Sequence, residues 1–307
     1  MSGPAPAAPA SGATRATLSD RAIAWLFVTP TIVLLLAINI FPLFWTIYLS
    51  FTNYRANQPG RPVQWVGTQN YSGLFASDEI WSYLQNTAHF VLWSITLQVL
   101  IGFGLALLLH RQFRGHATLT TLILLPMMLS PALVGLFWRY LFDPQAGIFN
   151  YVVNFFGGFG TFSMLSEVRL APWAIVLVDT WMWAPYVMLL CLAGLRSVPA
   201  HLYEAAEVDR ASKLQQFWHI TLPMVTPLLM IAVLFRAIEC FKMFDMVIEL
   251  TSGGPGETTE LASISLKRAA FEKWRTGYAS ALAIVLFVVV FGASNLYVKY
   301  LNRVKTR

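Results

Sequence analysis

Long apolar segments separated by short polar ones dominate this 307-residue chain. Six segments reach the roughly 20 residues that a helix needs to cross a bilayer. They cover approximately residues 23–48, 87–109, 119–142, 172–195, 224–250 and 278–301. The pattern therefore predicts an all-α, polytopic membrane protein with six transmembrane helices.

Composition agrees with a membrane location. The chain is 57% hydrophobic and 12% charged, whereas soluble domains carry about 25% charged residues. Residues 1–20 have no periodic apolar pattern and are rich in Ala, Pro, Ser and Gly, which predicts a disordered tail. Residues 21–307 then form the six-helix transmembrane domain.

The distribution of basic residues predicts the orientation. With six spans both termini lie on one side, together with Arg15, Arg21, Arg111, Arg114, Arg196, Arg210, Lys213, Lys299, Arg303, Lys305 and Arg307. The smaller set on the opposite side is Arg55, Arg61, Arg169, Lys267, Arg268, Lys273 and Arg275. Because Lys and Arg mark cytoplasmic loops, we expect both termini, the tail and residues 196–223 in the cytoplasm.

Residues 204–223 read EAAEVDRASKLQQFWHITLP and interrupt the apolar pattern between spans four and five. Apolar side chains recur there at steps of three and four, which predicts two short amphipathic helices; they are Ala205, Val208, Leu214, Phe217 and Trp218. Pro223 is expected to end this segment and begin the fifth span. An interfacial helix on the lipid headgroups and a docking element for a partner protein both fit this periodicity.

Helix spacing within the segment also predicts two surface ion pairs. Glu207 and Arg210 lie three residues apart, and Asp209 and Lys213 lie four apart.

The order Glu204-Ala205-Ala206, then Asp209, Ala211, Phe217 and ITLP at 220–223 closely resembles the EAA loop of permeases in binding-protein-dependent ABC importers. The resemblance implies that residues 196–223 form coupling helices that dock into the ATP-hydrolysing subunit. The implied coupling residues are Glu204, Ala205, Ala206, Asp209, Arg210, Leu214 and Phe217. Arg210 stands where the family usually has Gly, near the turn between the helices, and a positive φ there would cost about 1 kcal/mol.

Three further stretches resemble the carbohydrate-type permeases that transport maltose, lactose or glycerol 3-phosphate, specifically the first of two permeases. They are WVGTQNYSGLF at 65–75, residues 125–150 and residues 241–260. The resemblance implies a bacterial or archaeal cytoplasmic membrane and a sugar, oligosaccharide, polyol or glycerol-phosphate solute. It also implies a second permease, two ATPase subunits that bind ATP and Mg, and an extracytoplasmic solute-binding protein.

Ionisable residues inside spans are expensive and are therefore candidates for function. Span five contains Arg236, Glu239, Lys242, Asp245 and Glu249, which wind around a continuous helix instead of lining one face. Local pairs of Arg236 with Glu239 and of Lys242 with Asp245 are one expectation. Lining of the solute path by Glu239, Lys242 and Asp245 is the other.

Span four contains DTWMWAPY at 179–186, where aromatic faces suit the C–H faces of sugars and Asp179 and Tyr186 suit their hydroxyls. Trp181 and Trp183 lie about 200° apart around a helix, so at most one faces a common path. Packing of these rings against lipid or neighbouring helices is the alternative.

No catalytic or metal-binding spacing and no nucleic-acid module is visible in the sequence, so we expect neither an enzyme nor a nucleic-acid partner. The phosphate-binding pattern GxxxxGK[ST] is absent, so ATP binding is expected on another chain and no cofactor on this one. Two rival functions remain open. One is a secondary transporter with ion sites at Asp179, Glu239 and Asp245, and the other is a membrane scaffold without a transport path.

Overall fold

The computed structural model describes residues 19–111, 113–157 and 163–305. These residues contain helices and no β-strand, only an isolated bridge between Thr52 and Trp65, so the predicted all-α class is confirmed. The predicted tail, residues 1–20, lies outside the described part except for Ser19 and Asp20.

The chain divides into two compact units after Tyr48. The first unit consists of helix α1 (Asp20–Ser50) as far as Tyr48, with Pro30 and Pro42 inside the helix. It is long and apolar enough to cross a membrane, and most of its apolar side chains are exposed.

Twelve further helices in the described residues make up the second unit. They are α2 (Gln69–Phe75), α3 (Asp78–Leu109), α4 (His116–Leu124), α5 (Pro131–Leu141), α6 (Ile148–Gly157), α7 (Ala171–Ser197), α8 (Ala200–Val208), α9 (Lys213–Gln216), α10 (Leu222–Phe241), α11 (Asp245–Thr251), α12 (Ala262–Lys267) and α13 (Thr276–Lys305). A 3₁₀ turn covers Leu125–Met128, and π-helical turns cover Phe217–Thr221 and Arg268–Glu272.

The third predicted span is broken. Residues His116–Met128 and Pro131–Leu141 form two apolar helices at an angle of 100°. Leu129, with ψ 153°, and Ser130, with ψ 136°, are extended, and Pro131 then begins α5. A residue before proline avoids the helical region and proline favours a first helical turn, which explains the break. Together with five long helices, this pair gives the expected six spans if it is counted as one.

The fifth predicted span is also interrupted, at Lys242–Phe244. Helix α10 ends at Phe241 and α11 begins at Asp245. The hydroxyl of Ser263 donates a hydrogen bond to the carbonyl of Met243 in this break. The expectation of one continuous helix over 224–250 is therefore wrong.

Helices α3 and α7 form the most extensive helix pair of the second unit, with α10 packed against both. Gly102 permits this approach, because a Cβ there would lie 2.6 Å from the carbonyl oxygen of Ala184. A buried apolar cluster from these helices, α5 and α11 surrounds the pair, and includes Phe90, Val134, Ile175, Met182, Met246 and Val247.

Candidate functional site

The coupling segment, residues 196–223, contains two short helices joined by a tight turn. Helix α8 ends as the amide of Asp209 donates to the carbonyl of Ala205. Arg210 then has φ 56°, in the left-handed region that glycine adopts more easily, so the turn keeps this geometry with arginine in place of the family's usual glycine. Ser212 caps α9 through a capping box with Gln215, in which the amide of Ser212 donates to Gln215 Oε1 at 2.7 Å.

The second helix continues directly into span five. Lys213–Phe241 is one long helical segment, and Pro223 lies in the first turn of α10. Pro223 lies at the start of α10, as expected for the beginning of span five, but it does not separate the coupling segment from that span. A proline clashes with the carbonyl four residues earlier in an α-helix, and the wider π-turn at Phe217–Thr221 relieves this clash by bonding the amide of Leu222 to Phe217.

The surface of the coupling segment has a free acidic group and exposed apolar side chains. Glu204 is exposed and makes no ion pair within the described chain. Leu214 and Trp218 are 68% and 57% exposed. Phe217, expected in the ATPase contact, instead packs against Phe103 of α3 with ring centroids 6.0 Å apart.

Both predicted ion pairs of the segment are replaced by one pair. Lys213 Nζ lies 2.8 Å from Glu207 Oε1 and holds the pKa of Glu207 below its ordinary value. The predicted partners Arg210 and Asp209 are separated from these groups because the turn at Arg210 interrupts the helical spacing. Ala206 and Asp209 line a small cavity of about 250 Å³ between the two helices, with Ala211, Gln215, Gln216, His219 and Ile220.

Deep inside the spans, Asp179 of α7 binds Arg236 of α10. Arg236 Nη2 lies 3.1 Å from both carboxylate oxygens, and the side chains are 0% and 2% exposed. Gln98 of α3 donates to Asp179 Oδ2 at 2.7 Å and accepts from Arg236 Nε at 2.8 Å. The predicted pair of Arg236 with Glu239 is therefore wrong. The network joins three spans and satisfies Asp179 from two sides.

Gln98 is a functional candidate that the sequence analysis missed. Its side-chain amide is fully buried within the apolar span 87–109. A polar residue at that depth in a span indicates a polar partner on a neighbouring helix. Its partners lie 81 and 138 residues further along the chain.

The two tryptophans of span four have different surroundings. The Arg236 guanidinium lies over the Trp183 ring, with a distance of 4.6 Å between Arg236 Cζ and the ring centroid. The same ring packs edge-on against Tyr186. The Tyr186 hydroxyl has no hydrogen-bond partner in the described chain. Trp181 instead lines a separate apolar cavity of about 720 Å³. The two rings therefore face different surroundings, and which of them lines a solute path stays a prediction.

A second charged group lies at the break between α10 and α11. Lys242 Nζ is 2.8 Å from Glu239 Oε1, and the side chains are 60% and 55% exposed. Asp245 is exposed at the first position of α11. The predicted pair of Lys242 with Asp245 is wrong, because the helix ends at Phe241 and the two residues do not share a continuous helical face.

The described residues contain no group of three His, Cys, Asp or Glu side chains placed to hold a metal ion. Cys191 and Cys240 are both free and buried.

Comparison with known proteins finds transport permeases that are similar to this chain over most of its length. The trehalose/maltose transport system permease protein MalF of Thermococcus litoralis is 32% identical over 91% of this chain and 94% of its own length. The sulfoquinovosyl glycerol transport system permease protein SmoG of Agrobacterium fabrum is 31% identical over 93% and 92%.

A chain of a bacterial ABC transporter involved in the import of the acidic polysaccharide alginate has the same fold, with a TM-score of 0.79 and 21% identity over 92% of this chain and 95% of that one. Residues 98–305, more than half of the chain, match the family described as binding-protein-dependent transport system inner membrane component. The resemblance drawn from the coupling segment is thus confirmed, and the chain belongs to this family of importer permeases.

Proposed function

We propose that this permease forms half of the path for a sugar, oligosaccharide, polyol or glycerol-phosphate solute, and that it is driven by ATPase subunits on separate chains. The two relatives named above carry trehalose or maltose and sulfoquinovosyl glycerol in their names, which supports the carbohydrate class. A second, different permease would supply the other half of the path.

The exposed face at the end of α10 supports the position of the path. Charged side chains at membrane depth avoid hydrocarbon and face water or protein. Glu239 and Lys242 are exposed there, with Asp245 beyond the break. We place the aqueous path along this face, with the Trp183 ring and the free Tyr186 hydroxyl as further solute contacts. Asp179, already bound by Arg236 and Gln98, holds the spans together and does not touch the solute.

The coupling segment carries the energy input in this proposal. Glu204, Leu214 and Trp218 would contact an ATPase subunit, while Ala205 and Ala206 allow close approach. Trp218 takes the role first expected of Phe217. ATP and Mg would be bound by the two ATPase subunits. Closure of the ATPase pair would move α8 and α9, and the continuous Lys213–Phe241 segment would transmit the movement to the path as rigid-body rocking.

The excess of basic residues around the coupling segment and the termini supports a cytoplasmic position for both. An extracytoplasmic solute-binding protein would then deliver the solute at the opposite face. The structure of the alginate transporter in complex with a pentasaccharide-bound periplasmic protein supports such a partner, since this chain shares its fold with a TM-score of 0.77.

The observation that carries the coupling role is that one segment exposes Leu214, Trp218 and a Glu204 with no ion-pair partner among the described residues. The test is affinity purification of the tagged chain from its native membrane, followed by mass spectrometry of the bound proteins and measurement of ATPase activity. Glu204→Arg should release the ATPase or uncouple hydrolysis from transport.

Glu79→Arg is the matched control, because Glu79 is also exposed and lies at the opposite end of the spans. It should leave both the bound subunits and the coupled ATPase activity unchanged. Purification of the wild-type chain without any ATPase would contradict the proposal and favour a gradient-driven transporter. In that case uptake would collapse with the ion gradient instead of with ATP.

A further inference from the structure

Two cavities share Trp173, near the start of α7, as a lining residue. The larger, of about 720 Å³, is apolar and lined by α3, α7 and the broken third span, including Leu97, Ile101, Leu122, Leu177 and Trp181. The smaller, of about 350 Å³, lies at the ends of the spans, and part of its lining is polar, from Gln85, Asn86, His89, Arg169 and Thr258. Trp173 lines both cavities, so an occupant of both would pass its ring.

The smaller cavity presents free hydrogen-bonding groups. Arg169 and Gln85 line it and make no side-chain hydrogen bond or ion pair within the described chain. His89 packs edge-on against Trp173 at 5.1 Å between ring centroids, and its ring nitrogens are likewise unbonded. A guanidinium with free N–H groups beside an amide is suited to a phosphate group, which accepts several hydrogen bonds.

The larger cavity has the length of an acyl chain in one leaflet. Its lining extends along α7 from Trp173 to Pro185, which is about 18 Å at 1.5 Å per residue. The hydrocarbon of one leaflet is about 15 Å thick. A cavity of this length that starts at the end of the spans reaches about half the depth of a bilayer. Trp173 lies between the two cavities and packs against Trp93 with ring centroids 5.2 Å apart, and tryptophan is favoured between headgroups and hydrocarbon.

We propose that the two cavities form a single binding site for one glycerophospholipid. Its phosphodiester accepts hydrogen bonds from Arg169 and Gln85, and one acyl chain passes Trp173 and fills the apolar cavity between α3, α7 and the broken third span. A pocket with a free arginine and a free amide, next to an apolar cavity of leaflet depth, matches an amphiphile. A soluble phosphate compound would use only the smaller cavity, and a helix of a partner permease would use only the larger.

The test uses the purified importer complex in detergent, delipidated and titrated with dioleoyl phosphatidylglycerol under native mass spectrometry. Arg169→Gln should weaken binding of one lipid about tenfold, the effect of losing one hydrogen bond to a charged group. Leu177→Trp, which fills the apolar cavity from a partly exposed position, should also reduce occupancy. Arg55 is another exposed arginine with no ion pair among the described residues. Arg55→Gln is the control and should leave lipid binding unchanged.

A phosphatidylglycerol with a photoactivatable group in mid-chain locates the bound lipid. Cross-links should fall in the peptide covering residues 173–185 in the wild type and decline in both variants. Equal lipid binding by the wild type, Arg169→Gln and Leu177→Trp would overturn the proposal. Competition by soluble glycerophosphoglycerol equal to that of the lipid, or cross-linking of the partner permease within the cavity, would also overturn it. None of these readouts depends on transport.

Discussion

The buried ion pair between Asp179 and Arg236 allows a quantitative prediction. At a separation of 3.1 Å the Coulomb attraction is about 5 kcal/mol for an effective dielectric constant of 20. Arg236 Nη1 already lacks a hydrogen-bond partner. Asp179→Asn therefore leaves a buried cation without its counter-charge, and Arg236→Met leaves a buried carboxylate held by Gln98 and Cys240.

Loss of one member of a buried pair costs about 3–5 kcal/mol, and each kcal/mol lowers the melting temperature by roughly 2–4 °C in a domain of this order of size. We expect each single variant to melt roughly 6–20 °C below the wild type. The double variant has no unpaired charge and should recover most of the loss, with a coupling energy of at least about 2 kcal/mol. The measurement is thermal unfolding of the purified complex in detergent, with uptake assayed in parallel.

The control is the exposed pair of Glu239 and Lys242. Neutralisation as Glu239→Gln and Lys242→Met should give a coupling energy below about 1 kcal/mol, because both side chains are more than half exposed. If the double variant of Asp179 and Arg236 is as unstable as the less stable single variant, the pair does not stabilise the spans as an ion pair. Normal stability with altered solute specificity would instead place Asp179 in the path.

Three further predictions concern the loops. Arg210→Gly should raise the melting temperature by the equivalent of about 1 kcal/mol, because φ 56° is strained for arginine and free for glycine. Arg268→Met should destabilise the complex at pH 7.5 and much less at pH 5, measured by thermal unfolding, because burial raises the pKa of Glu260 while Arg268 opposes this effect. A membrane-impermeant maleimide should label Ser212→Cys only from the cytoplasm and Ser72→Cys only from outside, against a silent background since both native cysteines are buried.

The sign of the pH effect follows from proton binding. An acid whose pKa is raised in the folded state binds more protons there than when unfolded, so its contribution to stability falls as the pH rises from the unfolded pKa through the folded one. Removal of Arg268 raises the pKa of Glu260 further and deepens this loss. Lys267→Met is the control, because Lys267 pairs with the exposed Glu272. Equal destabilisation by Arg268→Met at both pH values would contradict this assignment.

The other two predictions have their own refutations. A lower melting temperature for Arg210→Gly would mean that the arginine side chain contributes more to stability than its backbone strain costs. Ala211→Gly is the control: this position does not have a positive φ, so the substitution should lower the melting temperature. Labelling of Ser212→Cys and Ser72→Cys from the same side would contradict the six-span topology. Labelling of each from the unexpected side would reverse the proposed orientation while leaving the fold intact.

The coupling segment was largely predictable because its signals are local. Two short helices follow from periodicity, and the comparison with a resembling motif places the turn between them near Arg210, while the left-handed φ of Arg210 is seen only in the structure. The partners of its charges were not predictable, because the turn carries Lys213 back to Glu207 instead of Asp209. The break after Phe241 was missed for a related reason. No proline or glycine marks it, and a hydrogen bond from Ser263, 20 residues away in sequence, occurs within it.

The charged residues of span five form one series in the sequence. In the structure some of them are buried and others are exposed. Arg236 pairs with a carboxylate 57 residues earlier, a contact that helical spacing alone does not contain. Glu239 and Lys242 neutralise each other at an exposed face. The charges on the proposed path are therefore partly compensated, with Asp245 adding a negative group. A path whose named charges sum to one negative unit, with a free tyrosine hydroxyl and an aromatic ring, favours an uncharged polyhydroxy solute over an anion, because an anion would meet no uncompensated cation among these residues.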